Sequence, residues 1–508
     1  MKLQQILEQV KTQFKVIANN HLLTQTDVKN LAIDSRLIKD GDVFFALKGI
    51  KNDGVQYAFS SAKLGANTII INSQSLLEIN HFQQQFPKVI VITSDNNFAL
   101  LIEFLKIFYQ PLPKNIYGIT GTNGKTSCVE YIRQILNILN IKSASIGTLG
   151  INCDQMVKDQ LASSSLTTPD IVALYRNLYT LKKSAIDDVA IEVSSIGLDQ
   201  KRVAGLKINC AGFTNFSQDH LDYHLNMENY LQCKLKLFSE IVDNSGVAVV
   251  NADIDEFNKI KSICDNRKIK IIDYGYKAKL LKLIDINLQD VKFEFNNETF
   301  QFKMAINGDF QAYNLLCALG CIIANHNLKA NELKKLLENF YHIQVAPGRM
   351  QKIVKLANNA EIFIDFAHSP DALKNVLLQA KKIQQKKNND NFRQSRIIVL
   401  FGCGGDRDRK KRPIMGEIAC QLADLVIITD DNPRTETPKD IRQEILVGCN
   451  QNKVIEIADR FMAINQAVKM LGANDILILA GKGHEKYQII GDKKIVFDEE
   501  QIVKNALK

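Results

Sequence analysis

Gly118-Ile119-Thr120-Gly121-Thr122-Asn123-Gly124-Lys125-Thr126-Ser127 is the stretch whose reading decides the fold. It follows the apolar pair Ile116-Tyr117 and precedes Cys128 to Leu139, where Val129, Ile132, Ile135, Leu136 and Leu139 recur at helical spacing. Strand, glycine-rich turn and helix in that order make a phosphate-binding loop. Gly121 and Gly124 let the backbone close on a polyphosphate, whose charge then meets amide donors and the positive end of the helix dipole. Lys125 supplies a cation for the terminal phosphates, and Thr126 a hydroxyl that a nucleotide-bound Mg²⁺ accepts as a ligand. The match to G-x-x-x-x-G-K-[ST] lacks its first glycine, because Ile119 holds that position. Gly-Lys-Thr in this context favours nucleotide binding over an ordinary glycine-rich βα turn.

Around that loop the 508 residues suit two to four domains, with three the natural number. A hydrophobic share of 46% beside 23% charged residues fits a globular protein with sizeable cores. The net charge of +9 is modest over this length; it suits polyanionic small ligands and lacks the concentrated patch of a nucleic-acid binder. The ten cysteines are scattered without Cys-x-x-Cys pairs, and Cys317 and Cys321 lie one turn apart in an apolar helix, so buried thiols in a reducing cytoplasm are expected. No apolar run approaches the length of a membrane span, and the N-terminus does not read as a signal peptide.

Before the loop, residues 1–112 mix short strands and helices. Ala32 to Arg36 and Val43 to Leu47 flank Asp40-Gly41-Asp42, a pattern that predicts a hairpin. Pro111 and Pro113 mark a boundary. Residues 113–346 alternate strands and helices. Val189-Ala190-Ile191-Glu192-Val193 is an apolar strand carrying one carboxylate, which is costly to bury unless paired or bound to a cation. Asp219-His220-Leu221-Asp222-Tyr223-His224 at a strand end suits metal or phosphate work. Phe293 to Met304 alternates as an antiparallel strand or hairpin.

Residues 347–508 read as repeated βα units, with strands predicted at Ile362–Phe366, Ile397–Phe401, Leu425–Thr429, Val454–Ile457 and Ile476–Ala480. That alternation predicts a doubly wound, mostly parallel sheet whose ligands bind beyond the carboxyl ends of the strands. Polar clusters fall at those ends: Asp365 with His368, Gly402 to Arg412, Asp430 to Arg434, and Gly481 to Glu485. The run from Lys381 to Asn391 reads as a solvated helix end and loop.

At these residues the chain resembles the Mur ligase family over nearly its full length. Thr120 to Thr126 is similar to the family's ATP loop, which folylpolyglutamate synthetases share. Asp34-Ser35-Arg36, Thr167-Thr168-Pro169, Glu192-Val193-Ser194-Ser195 and Asp219 to His224 resemble the uridine-nucleotide branch. Gly404-Gly405-Asp406-Arg407, Asp431-Asn432-Pro433-Arg434 and Gly481-Lys482-Gly483-His484-Glu485 narrow the resemblance to the diaminopimelate-adding type. It implies an α/β protein of three domains: a small uridine-nucleotide-binding domain, a central P-loop-type ATPase domain with a mostly parallel sheet, and a C-terminal Rossmann-like domain. The implied activity is ATP-dependent ligation of meso-2,6-diaminopimelate to UDP-N-acetylmuramoyl-L-alanyl-D-glutamate through an acyl phosphate, by a cytoplasmic monomer in peptidoglycan precursor synthesis.

Residue by residue, the resemblance gives ATP to Gly121, Thr122, Asn123, Gly124, Lys125, Thr126, Ser127, Asn314, Arg349 and Asp365. Ile33 and Ser35 match uridine contacts; Thr167, Thr168, Ser194, Gln200 and Arg202 match muramoyl-peptide contacts. Arg407, Asp431, Asn432, Pro433, Arg434, Gly481 and Glu485 match the diaminopimelate pocket. Two Mg²⁺ ions are implied, held by Thr126, Glu192, His220 and a carbamylated Lys234 (N6-carboxylysine), with Lys125, Glu192, His220 and Lys234 serving catalysis. On sequence alone Lys234 reads as a surface lysine of a helix. Leu166, Ile196 and Gln311 depart from the family's usual Asn, His and Asn, which puts substrate contacts in question more than the reaction. Arg434 opposes a lysine-adding sister, since lysine lacks a second carboxylate, and a uridine-type first domain opposes a folylpolyglutamate synthetase.

Overall fold

The computed structural model describes residues 1–49, 52–75, 77–162, 164, 166–287, 289–305, 308–390 and 395–507. The chain forms two compact bodies, the first comprising residues 1–114, 154–187 and 201–206, the second residues 115–153, 188–200 and 207–508.

The first body is built on a five-stranded sheet in the order Lys15–Ala18, Ile90–Ser94, Thr68–Asn72, Asp42–Phe45, Asn30–Ala32. Only Lys15–Ala18 runs antiparallel. Phe44, Ile69, Ile71 and Val91 bury one face with Phe82, while Phe45 meets Phe104 of the helix Asn97–Phe108 edge-on at 5.2 Å on the other. The hairpin predicted around Asp40-Gly41 does not form: Asn30–Ala32 pairs parallel with Asp42–Phe45, Asn30 facing Asp42. The turn residues serve the crossover instead, and buried Asp42 accepts the amide of Lys39 at 2.9 Å. Helix Ile171–Lys183, capped by Asp170 on Ala173 N, belongs to this body.

The second body carries two large sheets and a small hairpin. The larger has ten strands, with Ser143–Gly147, Asp188–Glu192, Asn115–Thr120, Ile208–Phe213, Val242–Asn251, Lys270–Gly275 and Leu281–Asn287 adjacent and parallel. Antiparallel strands close both edges, among them the pair Asp290–Phe295 and Glu298–Lys303 that alternation predicted. Helix Asp309–His326 packs beside the loop helix Lys125–Ile138, and both bury apolar faces in one core with Tyr117, Ile119 and Cys317. Cys317 and Cys321 are buried, as expected of thiols in an apolar helix.

The smaller sheet has six strands in the order Gln351–Lys355, Glu361–Asp365, Ile476–Ala480, Ile397–Phe401, Leu425–Ile428, Val454–Glu456, parallel apart from the first. Its inner strands are continuous apolar runs buried on both faces, the pattern of a helix-covered parallel sheet. Helix Pro370–Asp390 covers one face; residue 391 of the polar run at its end lies outside the described residues. No helix among the described residues is long and apolar enough to cross a membrane.

Candidate active site at the phosphate loop

The strand Asn115–Thr120 delivers the chain to Gly121 (φ 140°), and Gly124 (φ 87°) opens the helix Lys125–Ile138. Both glycines stand in the left-handed region and are pressed by neighbours: a Cβ at Gly121 would run into Thr214 Oγ1, and one at Gly124 into Asn314 Oδ1. Lys125 folds back so that Nζ donates to the carbonyls of Gly121 (2.9 Å) and Thr122 (2.8 Å). Lys234 reaches the same Gly121 carbonyl at 2.7 Å, its ammonium 4.4 Å from the Tyr230 ring. At 1% exposure Lys234 is no surface lysine. Burial, then the charge of Lys125, drives its pKa well below the ordinary value, toward the neutral amine.

Glu192 ends the strand beside the loop strand and is 1% exposed. Its carboxylate accepts the Thr148 amide (2.8 Å) and hydroxyl (3.1 Å). Burial raises its pKa, against the opposing pull of Lys125. Asp219 lies 3.6 Å from His220 Nε2, 3.5 Å from His368 Nε2 and 4.0 Å from Lys411 Nζ. Burial alone would raise the Asp219 pKa, but these three groups together hold it well below the carboxylate range. Burial takes the His220 imidazole down to about 4, so the ring is neutral at pH 7.

A cavity of about 350 Å³ opens beside the loop. Asn123, Gly124, Ser127, Asn314, Arg349 and Asp365, all assigned to ATP by sequence, line it together. Arg349 Nη2 donates to Thr126 Oγ1 at 3.0 Å and its guanidinium lies 4.8 Å over the Phe366 ring. Asp365 accepts the Met350 amide at 2.6 Å, and burial raises its pKa to about 6. Sequence reasoning missed Phe310 and Tyr313, which also line the cavity; Tyr313 donates to Asp253 Oδ2 at 2.6 Å. Their only signal was an aromatic pair at the start of an apolar helix. Gln311 accepts the Tyr131 hydroxyl (2.7 Å) and Asn314 Nδ2 (3.3 Å), so this departure bears on the cavity wall.

The second polar cluster gathers at the carboxyl ends of the smaller sheet. Asn432 Nδ2 donates to Glu485 Oε2 (2.9 Å) while its Oδ1 accepts Lys482 Nζ (3.1 Å) and the Ile489 amide (2.9 Å). Arg434 Nη1 donates to the Gly405 carbonyl at 2.8 Å, and both Arg434 and Arg407 flank Gly404. Pro433 and Asp431 are buried beneath them, and a Cβ at Gly481 would come 2.6 Å from Asp431 Oδ2. In the first body, Ile33 and Ser35 follow the strand Asn30–Ala32, and Arg202 Nη1 donates to the carbonyl of buried Thr168 at 2.7 Å, next to Thr167. In the second, Ser194 caps the turn Ser195–Asp199 and Gln200 meets the Tyr223 hydroxyl at 3.4 Å. Leu166 is exposed; Ile196 is half-buried, and beside it Ser195 engages His224 at 2.9 Å.

The donors at the loop can be tested against Mg²⁺. Thr126 and Glu192 offer the hard oxygens such an ion prefers, whereas an amine at Lys234 does not. Among the described residues no three His, Cys, Asp or Glu side chains are placed to hold a metal ion by themselves, so phosphate oxygens would have to complete the coordination.

A glycine-rich loop opening a helix on a parallel sheet, a lysine and a buried carboxylate beside it, and a nucleotide-sized cavity define a phosphate-loop α/β protein built to use a nucleoside triphosphate. Comparison with known proteins agrees. Residues 27–100 match the model described as Mur ligase family, catalytic domain; residues 119–322 the Mur ligase middle domain; and residues 348–483 the Mur ligase, glutamate ligase domain. UDP-N-acetylmuramoyl-L-alanyl-D-glutamate–2,6-diaminopimelate ligase of Rickettsia montanensis is 41% identical over 493 residues, 96% of this chain and 97% of that one. Its counterpart in Mesorhizobium japonicum is 37% identical over 486 residues, 95% of each chain. A solved structure of an enzyme of that name superposes with a TM-score of 0.65 at 28% identity, covering 100% of this chain and 98% of the other. The chain belongs to the Mur ligase family of ATP-dependent ligases.

Proposed function

We propose that the protein joins meso-2,6-diaminopimelate to UDP-N-acetylmuramoyl-L-alanyl-D-glutamate at the expense of ATP, within three domains spanning residues 1–112, 113–346 and 347–508. The observation that carries this reading is that the Arg434 guanidinium and the Arg407 stem both lie against Gly404, while Asn432 of the Arg434 loop bonds Glu485, in the same body as the phosphate loop. Two guanidiniums suit a substrate with a carboxylate beyond the one every amino acid has, and Glu485 suits its ammonium. The naming of the full-length relatives supports it.

Forming an amide from a carboxylate and an amine in water is uphill, so the carboxylate must first be activated. An oxygen of the D-glutamyl γ-carboxylate attacks the γ-phosphorus of ATP, and the bond to the departing ADP oxygen breaks. The diaminopimelate amine then attacks the acyl carbon of the resulting acyl phosphate; phosphate leaves and the nitrogen's proton passes to solvent. Phosphoryl transfer asks the protein for positioning and charge neutralisation. Lys125 supplies a cation beside the loop amides, while Asn314, Arg349 and Asp365 orient the nucleoside end. Thr126, Glu192 and His220 are the side chains that would hold Mg²⁺, which offsets phosphate charge when bound. Lys234 in its neutral form has the lone pair that CO₂ requires, and a carbamate there would turn a poor ligand into a carboxylate-like one. The muramoyl-peptide is assigned to Ile33, Ser35, Thr167, Thr168, Ser194, Gln200 and Arg202. We place the reaction in the cytoplasm, in a monomer.

Phosphate release measured with ATP and UDP-N-acetylmuramoyl-L-alanyl-D-glutamate, with and without meso-diaminopimelate, tests the reading. Turnover should require all three substrates. Release indifferent to diaminopimelate, or equal rates with L-lysine, would reject it.

A further inference from the structure

The two arginines of the amino-acid site sit on separate loops, and a buried ion pair ties those loops together. Arg412, at the start of helix Lys411–Leu422, has a fully buried side chain. Its Nη1 and Nη2 each donate to Glu436 at 2.8 Å in a bidentate fork, and Nη2 also donates to the Gly404 carbonyl at 3.1 Å. Glu436 Oε1 in turn accepts the Asp406 amide at 2.5 Å, one residue from Arg407. Glu436 is two residues beyond Arg434, and between them the Thr435 hydroxyl donates to Asp406 Oδ1 at 2.7 Å. One carboxylate therefore spans both loops.

The loops need such a tie. Asp406 (φ 54°) and Arg434 (φ 51°) both stand in the left-handed region, which side chains larger than glycine occupy only when surrounding contacts impose it. Stability alone does not account for the charges, because a well-packed apolar group replaces a buried ion pair at no loss in many proteins. The Arg412 guanidinium keeps the Glu436 carboxyl below its ordinary range, so the fork stays ionised at neutral pH.

We infer that Arg412 and Glu436 form a positioning pair that sets the spacing of Arg407 and Arg434, and through it the affinity for the distal carboxylate of the amino-acid substrate; this rests on the function proposed above. Neither residue need touch that substrate.

Glu444 supplies an internal control. It too accepts Arg412 Nη1, at 2.7 Å, and its side chain is 27% exposed against 21% for Glu436, but among the described contacts it meets the first loop only at Arg409, next to the helix, and makes no bond to Asp406 or to the Arg434 loop. Glu436→Gln weakens both arms of the buried guanidinium, and Glu444→Gln weakens Nη1 alone. Steady-state kinetics on the intact enzyme, varying each substrate in turn, should give a KM for meso-diaminopimelate raised about tenfold in Glu436→Gln and less than about twofold in Glu444→Gln. KM for ATP and kcat at saturating diaminopimelate should stay near wild type in both, and thermal midpoints should fall in both. Arg412→Lys keeps the charge but loses the fork, and should behave like Glu436→Gln; it reads the pair if that variant does not fold. Equal effects of the two glutamate variants on diaminopimelate KM, or loss shared among all three KM values, would overturn the positioning role and leave the function standing. A wild-type enzyme without diaminopimelate-dependent turnover would overturn both.

Discussion

Replacing Arg434 by alanine measures how much of amino-acid selection rests on one guanidinium. Arg434 is half-buried, with Nη1 engaged by the Gly405 carbonyl at 2.8 Å, which leaves the rest of the fork for a carboxylate. Burial, and then the neighbouring Arg407, lower its pKa, yet a guanidinium remains a cation at neutral pH. A pairing of Arg434 with Glu436, the bland alternative for this loop, is not what forms, since Glu436 is taken by Arg412. A hydrogen bond to a charged group contributes about 1.5–3 kcal/mol, roughly 10- to 150-fold in an equilibrium constant. Alanine also frees the Gly405 carbonyl and slackens the loop. The KM for meso-diaminopimelate should therefore rise at least ~10-fold, with ATP and muramoyl-dipeptide KM values within about twofold of wild type. Arg434→Lys, which keeps charge without the fork, should fall between. Preference for diaminopimelate over L-lysine should shrink, because lysine never made the contact. Phosphate-release kinetics decide it, and an unchanged diaminopimelate KM in Arg434→Ala would refute the reasoning.

Two further outcomes follow from the buried groups around the phosphate loop. Lys234→Ala should fold yet lose nearly all turnover, and millimolar short-chain carboxylates should restore part of it by standing in for a carbamate; full activity without rescue would remove the role assigned to Lys234. Asp365 gives a pH dependence of stability. Its folded pKa of about 6 lies above the usual 3.8, with burial as the first cause, so the folded state binds the proton more tightly and stability from this group is lost as pH rises through that window. Between pH 4 and 7.5 the wild type should lose roughly 2 kcal/mol relative to Asp365→Asn, measured by denaturant unfolding. A wild-type-to-variant difference that does not change with pH contradicts it.

What could be read from the chain was whatever neighbouring residues decide among themselves. Ile397–Phe401 and Ile476–Ala480 form at their predicted bounds because five apolar residues in a row have one comfortable place, a strand covered on both faces. Glu192 was legible because a lone carboxylate in such a strand has few places to go. The hairpin at Asp40-Gly41 failed because its turn signal is local while the pairing partner is chosen by the whole sheet, and a parallel neighbour won. Tyr487–Ile490 and Lys493–Val496 were missed since their exposed, half-apolar alternation carries little burial signal, though the first of them buttresses Arg434 through the Ile489 carbonyl at 3.1 Å.

The groups that sequence could not assemble are those joined only by the tertiary fold. His368 and Lys411 read as features of strand ends in the last domain, yet both converge on Asp219 of the larger sheet, and Gln218 meets Asp408 at 3.0 Å beside them. The segment Gly402 to Arg412 therefore faces two ways. Asp408 and Lys411 dock on the loop carrying His220, while Arg412 bonds Glu436 and the Gly404 carbonyl. Attack on an acyl phosphate requires the amine to be held within bonding reach of a carbon activated at the other sheet, and small misplacements there cost rate steeply. On the function proposed above, a segment anchored at both places would fix that separation through covalent chain rather than through bound ligands alone.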